Sequence, residues 1–288
     1  MRVLVLGASG MLGNAMVRVL GENENWEVFG TLRSNGAARF FSPRLAQRLL
    51  NGVNVENQDA LTKLFAEIRP DIVVNCIGLV KQLADARDPL LCIPINSLLP
   101  HRLARLCELI GARLVHMSTD CVFSGKKGGY HETDPSDAED LYGKSKFLGE
   151  VDYPHAITLR SSIIGHELQG QRSLIGWFLS QERQCRGYSK SIYSGLPTVI
   201  LAQLVRDEII PRDNLCGLYH VASKPISKYD LLCLVAQTYG KTIEIIPDDS
   251  LVVDRSLNAD RFRDATGYIT PEWPALIRAM HAFDHAGK

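Results

Sequence analysis

No stretch of this 288-residue chain has the pattern of a membrane span: only Val3 to Leu6 separate Arg2 from Gly7, and no later run approaches 18 apolar residues. The same short opening lacks the apolar core of a secretory leader, so the sequence reads as a cytoplasmic protein. Net charge is absent as well. Lys+Arg and Asp+Glu both number 32, which leaves no electrostatic footprint for nucleic acid or an anionic membrane. The seven cysteines (Cys76, Cys92, Cys107, Cys121, Cys185, Cys216 and Cys233) are odd in number, scattered and never spaced as CxxC. Reduced thiols packed as small apolar groups fit that pattern better than a disulfide framework. Cys121 stands apart because it follows Ser118-Thr119-Asp120 directly. The eight histidines show no metal-ligand spacing, and no metal site is expected. Internal repeats, long linkers and low-complexity segments are missing too.

What is present, 45% hydrophobic and 22% charged residues, suits one large α/β domain or a domain plus a smaller lobe. In the first half, short apolar runs alternate with helical patterns, the order of a parallel sheet with helices on both faces. Strands are expected at Val3 to Leu6, Glu27 to Thr31, Asp71 to Cys76, Arg113 to Met117 and His155 to Leu159. Leu61, Leu64, Phe65 and Ile68 recur at helical spacing after Asn57, a residue suited to an N-cap, and Pro70 closes that helix. Pro89 to Ile110 reads as another helix that Pro94 and Pro100 bend or divide into turns. Beyond about Ser161 the alternation becomes irregular. A helix from Ser173 to Gln181, one beginning near Pro197, a strand near Tyr219 to Val221 and a terminal helix from about Trp273 suggest a smaller lobe interleaved with the sheet.

Gly7, Gly10 and Gly13 form GxxGxxG after the first strand and at the start of an amphipathic segment, with Met11 and Leu12 between the last two. The first glycine permits the tight turn, the second a close approach of the backbone to a pyrophosphate, and the third the packing of helix on strand. An anion would then lie at the helix N-terminus, which points to dinucleotide binding. Where an acid would bind the ribose 2′-OH of NAD, the chain reads Gly30-Thr31-Leu32-Arg33-Ser34. Arg33 suits the 2′-phosphate of NADP, so NADPH is favoured over NADH; a solvated surface arginine is the alternative. Tyr142 and Lys146 stand four residues apart, on one face of a helix, where a phenol and an ammonium can converge on one substrate atom. The ammonium would lower the phenol pKa.

With the glycine loop, VHMSTDCVFSG ending a strand, and Tyr142-Gly143-Lys144-Ser145-Lys146 in order, the chain resembles the extended short-chain dehydrogenase/reductases. STDCVFSG, Tyr130-His131-Glu132, Leu141 to Glu150 and Leu159-Arg160 resemble more narrowly the dTDP-4-dehydrorhamnose reductase group, which reduces the 4-keto group of nucleotide-linked 6-deoxysugars. The likeness extends to Asn75-Cys76, Asn96 and Gly195-Leu196-Pro197-Thr198. It implies a Rossmann-type doubly wound α/β sheet over residues 1–163, with 191–223 returning to it, and a smaller substrate-binding lobe from 164–190 and 224–288. It makes Thr119 the hydroxyl that hydrogen-bonds the substrate carbonyl, Tyr142 the general acid, and Lys146 the group that binds the nicotinamide ribose. Hydride arrival at C4 leaves negative charge on the carbonyl oxygen, where Thr119 and Tyr142 supply donors. Cys76, Ile77 and Gly78 would face the cofactor, Asn96 would help position Lys146 through backbone and water contacts, and Asp120, Pro197 and Thr198 would face the sugar.

Two departures concern the sugar-facing loops: Cys121 replaces an aromatic residue, and Ile77 to Gln82 replaces an alanine-rich loop. Arg255, in DRSLNADRF, suits a substrate diphosphate or a surface ion pair equally. The expected partner is a nucleotide-sugar, with no nucleic acid and no membrane, and a homodimer is compatible with the sequence. Two other functions fit the same scaffold. One is a nucleotide-sugar epimerase or epimerase/reductase, and the other is a non-catalytic regulatory subunit like that of methionine adenosyltransferase. Fold alone does not separate them, but a pure binding module has no physical need for a tuned tyrosine.

Overall fold

Apolar residues at successive positions of Val3 to Leu6 and Ile72 to Val74 require cover on both faces of a sheet, and both faces receive it. The computed structural model describes residues 1–79 and 87–285; Val80, Lys81 and Gln82 lie outside the described residues. In chain order the first elements are β1 (Arg2–Leu6), α1 (Met11–Leu20), β2 (Glu27–Thr31), α2 (Pro43–Ala46), β3 (Leu49–Leu50), α3 (Gln58–Ile68) and β4 (Ile72–Asn75). There follow α4 (Pro89–Cys92), α5 (Leu99–Ile110), β5 (Arg113–Ser118), α6 (Leu141–Leu148) and β6 (Ala156–Arg160).

The remainder comprises β7 (Ile163–Ile164), α7 (Leu174–Ser180), β8 (Gln184–Tyr188), β9 (Ser191–Tyr193), β10 (Leu196–Pro197), α8 (Thr198–Leu204) and β11 (Gly217–His220). The chain then forms β12 (Ile226–Ser227), α9 (Lys228–Tyr239), β13 (Glu244–Asp248), β14 (Val253–Asp254), α10 (Asp260–Thr266) and α11 (Trp273–His285).

Seven strands form one parallel sheet in the order β11-β6-β5-β4-β1-β2-β3. This is a Rossmann-type doubly wound sheet, and its order reverses between β1 and β4. Alternation along β1 sorts the two cores: Val3 and Val5 pack with α1, α8 and α11, whereas Leu4 and Leu6 pack with α3 and α5. Helix α3 begins as expected, with Asn57 Oδ1 accepting from Ala60 N at 3.0 Å, and ends at Arg69, whose φ of 47° precedes Pro70. Between α4 and α5 the ladder shifts to a π-helical stretch, Ile93–Leu98, where Pro94 offers no N–H. β11 joins the sheet beside β6, 60 residues later in sequence by its first pair, Gly217 with Ile157.

Of the smaller sheets (β10 with β7, β12-β9-β14, and β13 with β8), the first two contribute Ile163, Ser191 to Tyr193 and Val253 to the cleft described below. Helix α11 reaches back to α1, where Arg18 Nη2 donates to Phe283 O at 2.9 Å and its guanidinium lies 3.7 Å from the centre of the Phe283 ring. Among the described residues no helix is long and apolar enough to cross a membrane.

Candidate active site

Where the strand order reverses, the loops after β1 and β4 diverge and open a crevice. Gly7 adopts φ +84°, and its N–H donates to Thr31 Oγ1 at 3.0 Å. A Cβ on Gly13 would lie 2.0 Å from Gly7 O, so only glycine lets α1 approach the strand so closely. No side chain caps α1 and no acid occupies its first turn, which leaves its N–H groups and dipole available to an anion. One part of the crevice, about 310 Å³, is lined by Gly7, Gly10, Thr31, exposed Arg33 and the segment Val53 to Glu56. That segment follows β3 and has no strong sequence signal. Gly10 and Cys76 to Leu79 are shared with a second part of about 660 Å³ that holds Met11, Leu12, Thr119, Tyr142 and Lys146. The glycine turn, the uncapped helix and a continuous cleft suit a dinucleotide lying across both parts.

β5 and α6 deliver the polar side chains. Asp140 caps α6 by accepting from Gly143 N at 2.8 Å, and a Cβ on Gly143 would meet Cys121 O at 2.2 Å, so α6 lies hard against the turn after β5. Lys146 is buried and its Nζ donates to Met117 O at 2.7 Å. Burial lowers its ammonium to about 8, against an opposing contribution from Glu150. Tyr142 behaves otherwise than the sequence suggested. Burial raises its phenol, the neighbouring Cys121 and Asp120 add to the rise, and a hydrogen bond with Thr119 opposes it. In the protein alone, desolvation therefore outweighs any lowering by Lys146, whose Nζ is engaged by a backbone carbonyl.

Asn96 lies in the π-helical stretch. Its Oδ1 accepts from Leu79 N at 2.9 Å, while its Nδ2 donates to Leu79 O and Ser145 Oγ, both at 3.2 Å. It therefore fastens the loop after β4 to the residue preceding Lys146. Thr119 Oγ1 donates to Asp120 Oδ1 at 3.2 Å and accepts from Cys121 N at 3.2 Å. Asp120 is buried, and burial raises its carboxyl while Arg255, its hydrogen bonds and Lys228 hold it down. Arg255 lies half-buried on the cleft wall. Its Nε donates to Phe123 O at 2.8 Å and Nη2 to Ser124 O at 3.1 Å, so its guanidinium serves backbone carbonyls in place of an exposed carboxylate. Cys121 and Lys228 line the same cleft; Lys228 opens α9, and nothing in its sequence context marks it.

Pro197 and Thr198 do not reach this cleft. Leu196–Pro197 pairs with Ile163–Ile164, and Thr198 is packed against Gly165, where a Cβ would come within 2.6 Å of its Oγ1. Thr198 lines a separate hollow with Asn14, Arg18 and His166, and Leu201 is the α8 residue that faces the cleft holding Tyr142 and Lys146. Among the described residues no cluster of His, Cys, Asp or Glu could hold a metal ion.

Residues 1–253 match the family model described as the RmlD substrate binding domain. The chain belongs to this family. Relatives in and around it differ in activity. A dTDP-4-dehydrorhamnose reductase of Aggregatibacter actinomycetemcomitans is 24% identical, with 98% of this chain and 99% of the relative covered. Methionine adenosyltransferase 2 subunit beta of Danio rerio is 28% identical, covering 83% and 74%. Solved structures agree on the RmlD-type fold. The dTDP-4-dehydrorhamnose reductase of Bacillus anthracis in complex with NADP has a TM-score of 0.79 at 20% identity, covering 98% of this chain and 99% of that one. WbmG of Bordetella bronchiseptica, in complex with NAD and UDP, has a TM-score of 0.78 at 19% identity, covering 100% and 96%.

Proposed function

We propose that this chain is an NADPH-dependent reductase of the 4-keto group of a nucleotide-linked 6-deoxysugar, acting in polysaccharide or glycan precursor synthesis. The observation that carries this reading is the presence of Thr119, Tyr142 and Lys146 in one cleft continuous with the glycine turn. The reductase relatives, aligned over nearly the whole chain, support it. The uncapped N-terminus of α1 would hold the pyrophosphate, and Arg33 the 2′-phosphate. A bound nicotinamide would supply the hydride. Lys146, with its ammonium at about 8, remains charged at neutral pH and would grip the nicotinamide ribose. Tyr142, kept protonated by its raised pKa, would donate its proton to the carbonyl oxygen as negative charge develops there, with Thr119 as the second donor.

The test is to screen purified protein against several nucleoside diphosphate 4-keto-6-deoxysugars while following NADPH absorbance. Tyr142→Phe should leave NADPH affinity nearly unchanged and lower turnover by roughly 10² to 10⁴, the usual contribution of a general acid. A confirmed substrate reduced by Tyr142→Phe at the unmodified rate would remove Tyr142 from the chemistry. Substrate inversion without net NADPH consumption would favour an epimerase. The methionine adenosyltransferase subunit relatives give the regulatory reading its support. Altered kinetics of a copurifying enzyme, with no turnover of any sugar, would put that reading first.

A further inference from the structure

Glu150 belongs neither to the cofactor cradle nor to the proton donors, yet it is bound on all sides. It follows Gly149, the C-cap of α6, and a Cβ on that glycine would lie 1.9 Å from Asn96 O. Its Oε1 accepts from Ser118 Oγ at 2.6 Å and from Arg160 Nε at 2.7 Å, and its Oε2 accepts from Arg160 Nη2 at 2.6 Å. Both side chains are buried, with 10% of Glu150 and 2% of Arg160 exposed. Arg160 also donates from Nη1 to His220 Nε2 at 3.2 Å, which leaves Nδ1–H of that neutral ring to donate to Tyr130 O at 3.0 Å. Ser118 stands between the Met117 carbonyl that receives Lys146 and the Thr119 hydroxyl.

We propose that Glu150 is a positioning residue for the reduction. It fixes Ser118, and through it Thr119 and the Met117 carbonyl to which Lys146 donates, and it places a carboxylate four residues after Lys146, tied to the strand that carries that carbonyl. The role in reduction rests on the reductase reading; the electrostatic coupling to Lys146 does not. The groups around Lys146 are Tyr142 on its own helix, Cys76 beyond β4, Cys92 in α4, and His116 on β5. Burial raises the Cys76 thiol to about 12 and keeps His116 neutral. Glu150 is the carboxylate that opposes the desolvation of Lys146.

Lysine-selective NMR of the cofactor-free protein, with Lys146→Met for assignment, reads this coupling without substrate. Lys146 should titrate near pH 8 in the unmodified protein. In Glu150→Gln its midpoint should fall by roughly one pH unit, the scale on which a nearby opposite charge acts, and Glu150→Asp should restore most of it. Because an unpaired Arg160 can prevent folding, the double variant Glu150→Gln/Arg160→Gln keeps the buried charge balanced and should shift Lys146 in the same direction by less, since the opposing positive charge goes too. Ser118→Ala separates the second role: kcat should fall on the order of tenfold, a loss typical of misplaced catalytic groups, with KM and the Lys146 midpoint unchanged. A folded Gln variant with an unshifted Lys146, or Ser118→Ala with unmodified kcat, overturns the proposal. A shifted Lys146 in a protein that reduces no nucleotide-sugar removes the reductase reading and leaves the electrostatic coupling standing.

Discussion

An ammonium held out of water burdens folding, and Lys146, 6% exposed, is such a group. Its folded value of about 8 lies below the ordinary lysine range near 10.4, so the unfolded chain binds more protons between these two values. The penalty is therefore full below pH 8 and declines as pH rises through that window, amounting to about 3 kcal/mol. Lys146→Met should consequently be the more stable protein in urea at pH 7, with an advantage that shrinks from pH 8 towards 10.4, while activity and NADPH binding both weaken. Urea midpoints that coincide at pH 7 would contradict the argument. Arg33 supports a second expectation at this scale. Arg33→Ala should weaken NADPH far more than NADH, because only NADPH loses a phosphate partner; calorimetric titration that finds equal losses, or tighter NADH binding by the unmodified protein, would count against it. That Tyr142 and Lys146 share a helix face could be read from the sequence because their spacing fixes it. Their pKa values could not, because desolvation depends on what the rest of the chain packs around them.

Elements were legible in proportion to their length and punctuation. Helix α3 carries an N-cap, an apolar stripe and a terminating proline, and its bounds follow from them. In the helical run after Pro89 the prolines show where an N–H is missing, but not whether the ladder breaks or shifts register. The ladder shifts to a π-helical stretch that begins at Ile93, beside Pro94, and ends with Leu99 N–H reaching Pro94 O just before Pro100, and the run passes into α5 without a break. The π-helical stretch gives Asn96 its reach to both Leu79 and Ser145. Asn96→Ala should destabilise the fold by roughly 2 kcal/mol, the scale of leaving buried polar groups unpaired, and should lower kcat through Lys146. Unchanged thermal unfolding would show that the stretch holds its shape without that side chain. β3 has two residues and therefore no periodicity to detect, which is why Val53 to Glu56, presented to the crevice by it, had no signal. The misplacement of Thr198 has a similar origin: the sequence located the start of α8 but not its facing, which the pairing of β10 with β7 decides.

At the scale of the molecule, alternating apolar runs were enough to indicate a parallel sheet with helices on both faces, whereas the short strands around the cleft are set by long-range pairing and were not readable individually. The position of β11 beside β6 has a consequence for synthesis on the ribosome. When residues 1–163 have emerged, β6 is an open edge, Arg160 lacks His220, and α1 lacks the cover of α8. The nascent chain must wait for at least 57 further residues, to His220, before its sheet is complete. Such delayed closure exposes an unpaired strand and apolar surface during translation. A truncated chain of residues 1–163 should therefore aggregate or fail to bind NADPH despite containing the whole glycine turn, Arg33 and the Thr119, Tyr142 and Lys146 set. A soluble, cofactor-binding fragment would show that closure is dispensable. Nascent chains stalled beyond residue 220, with a linker long enough to clear the exit tunnel, should acquire protease resistance that chains stalled before β11 lack.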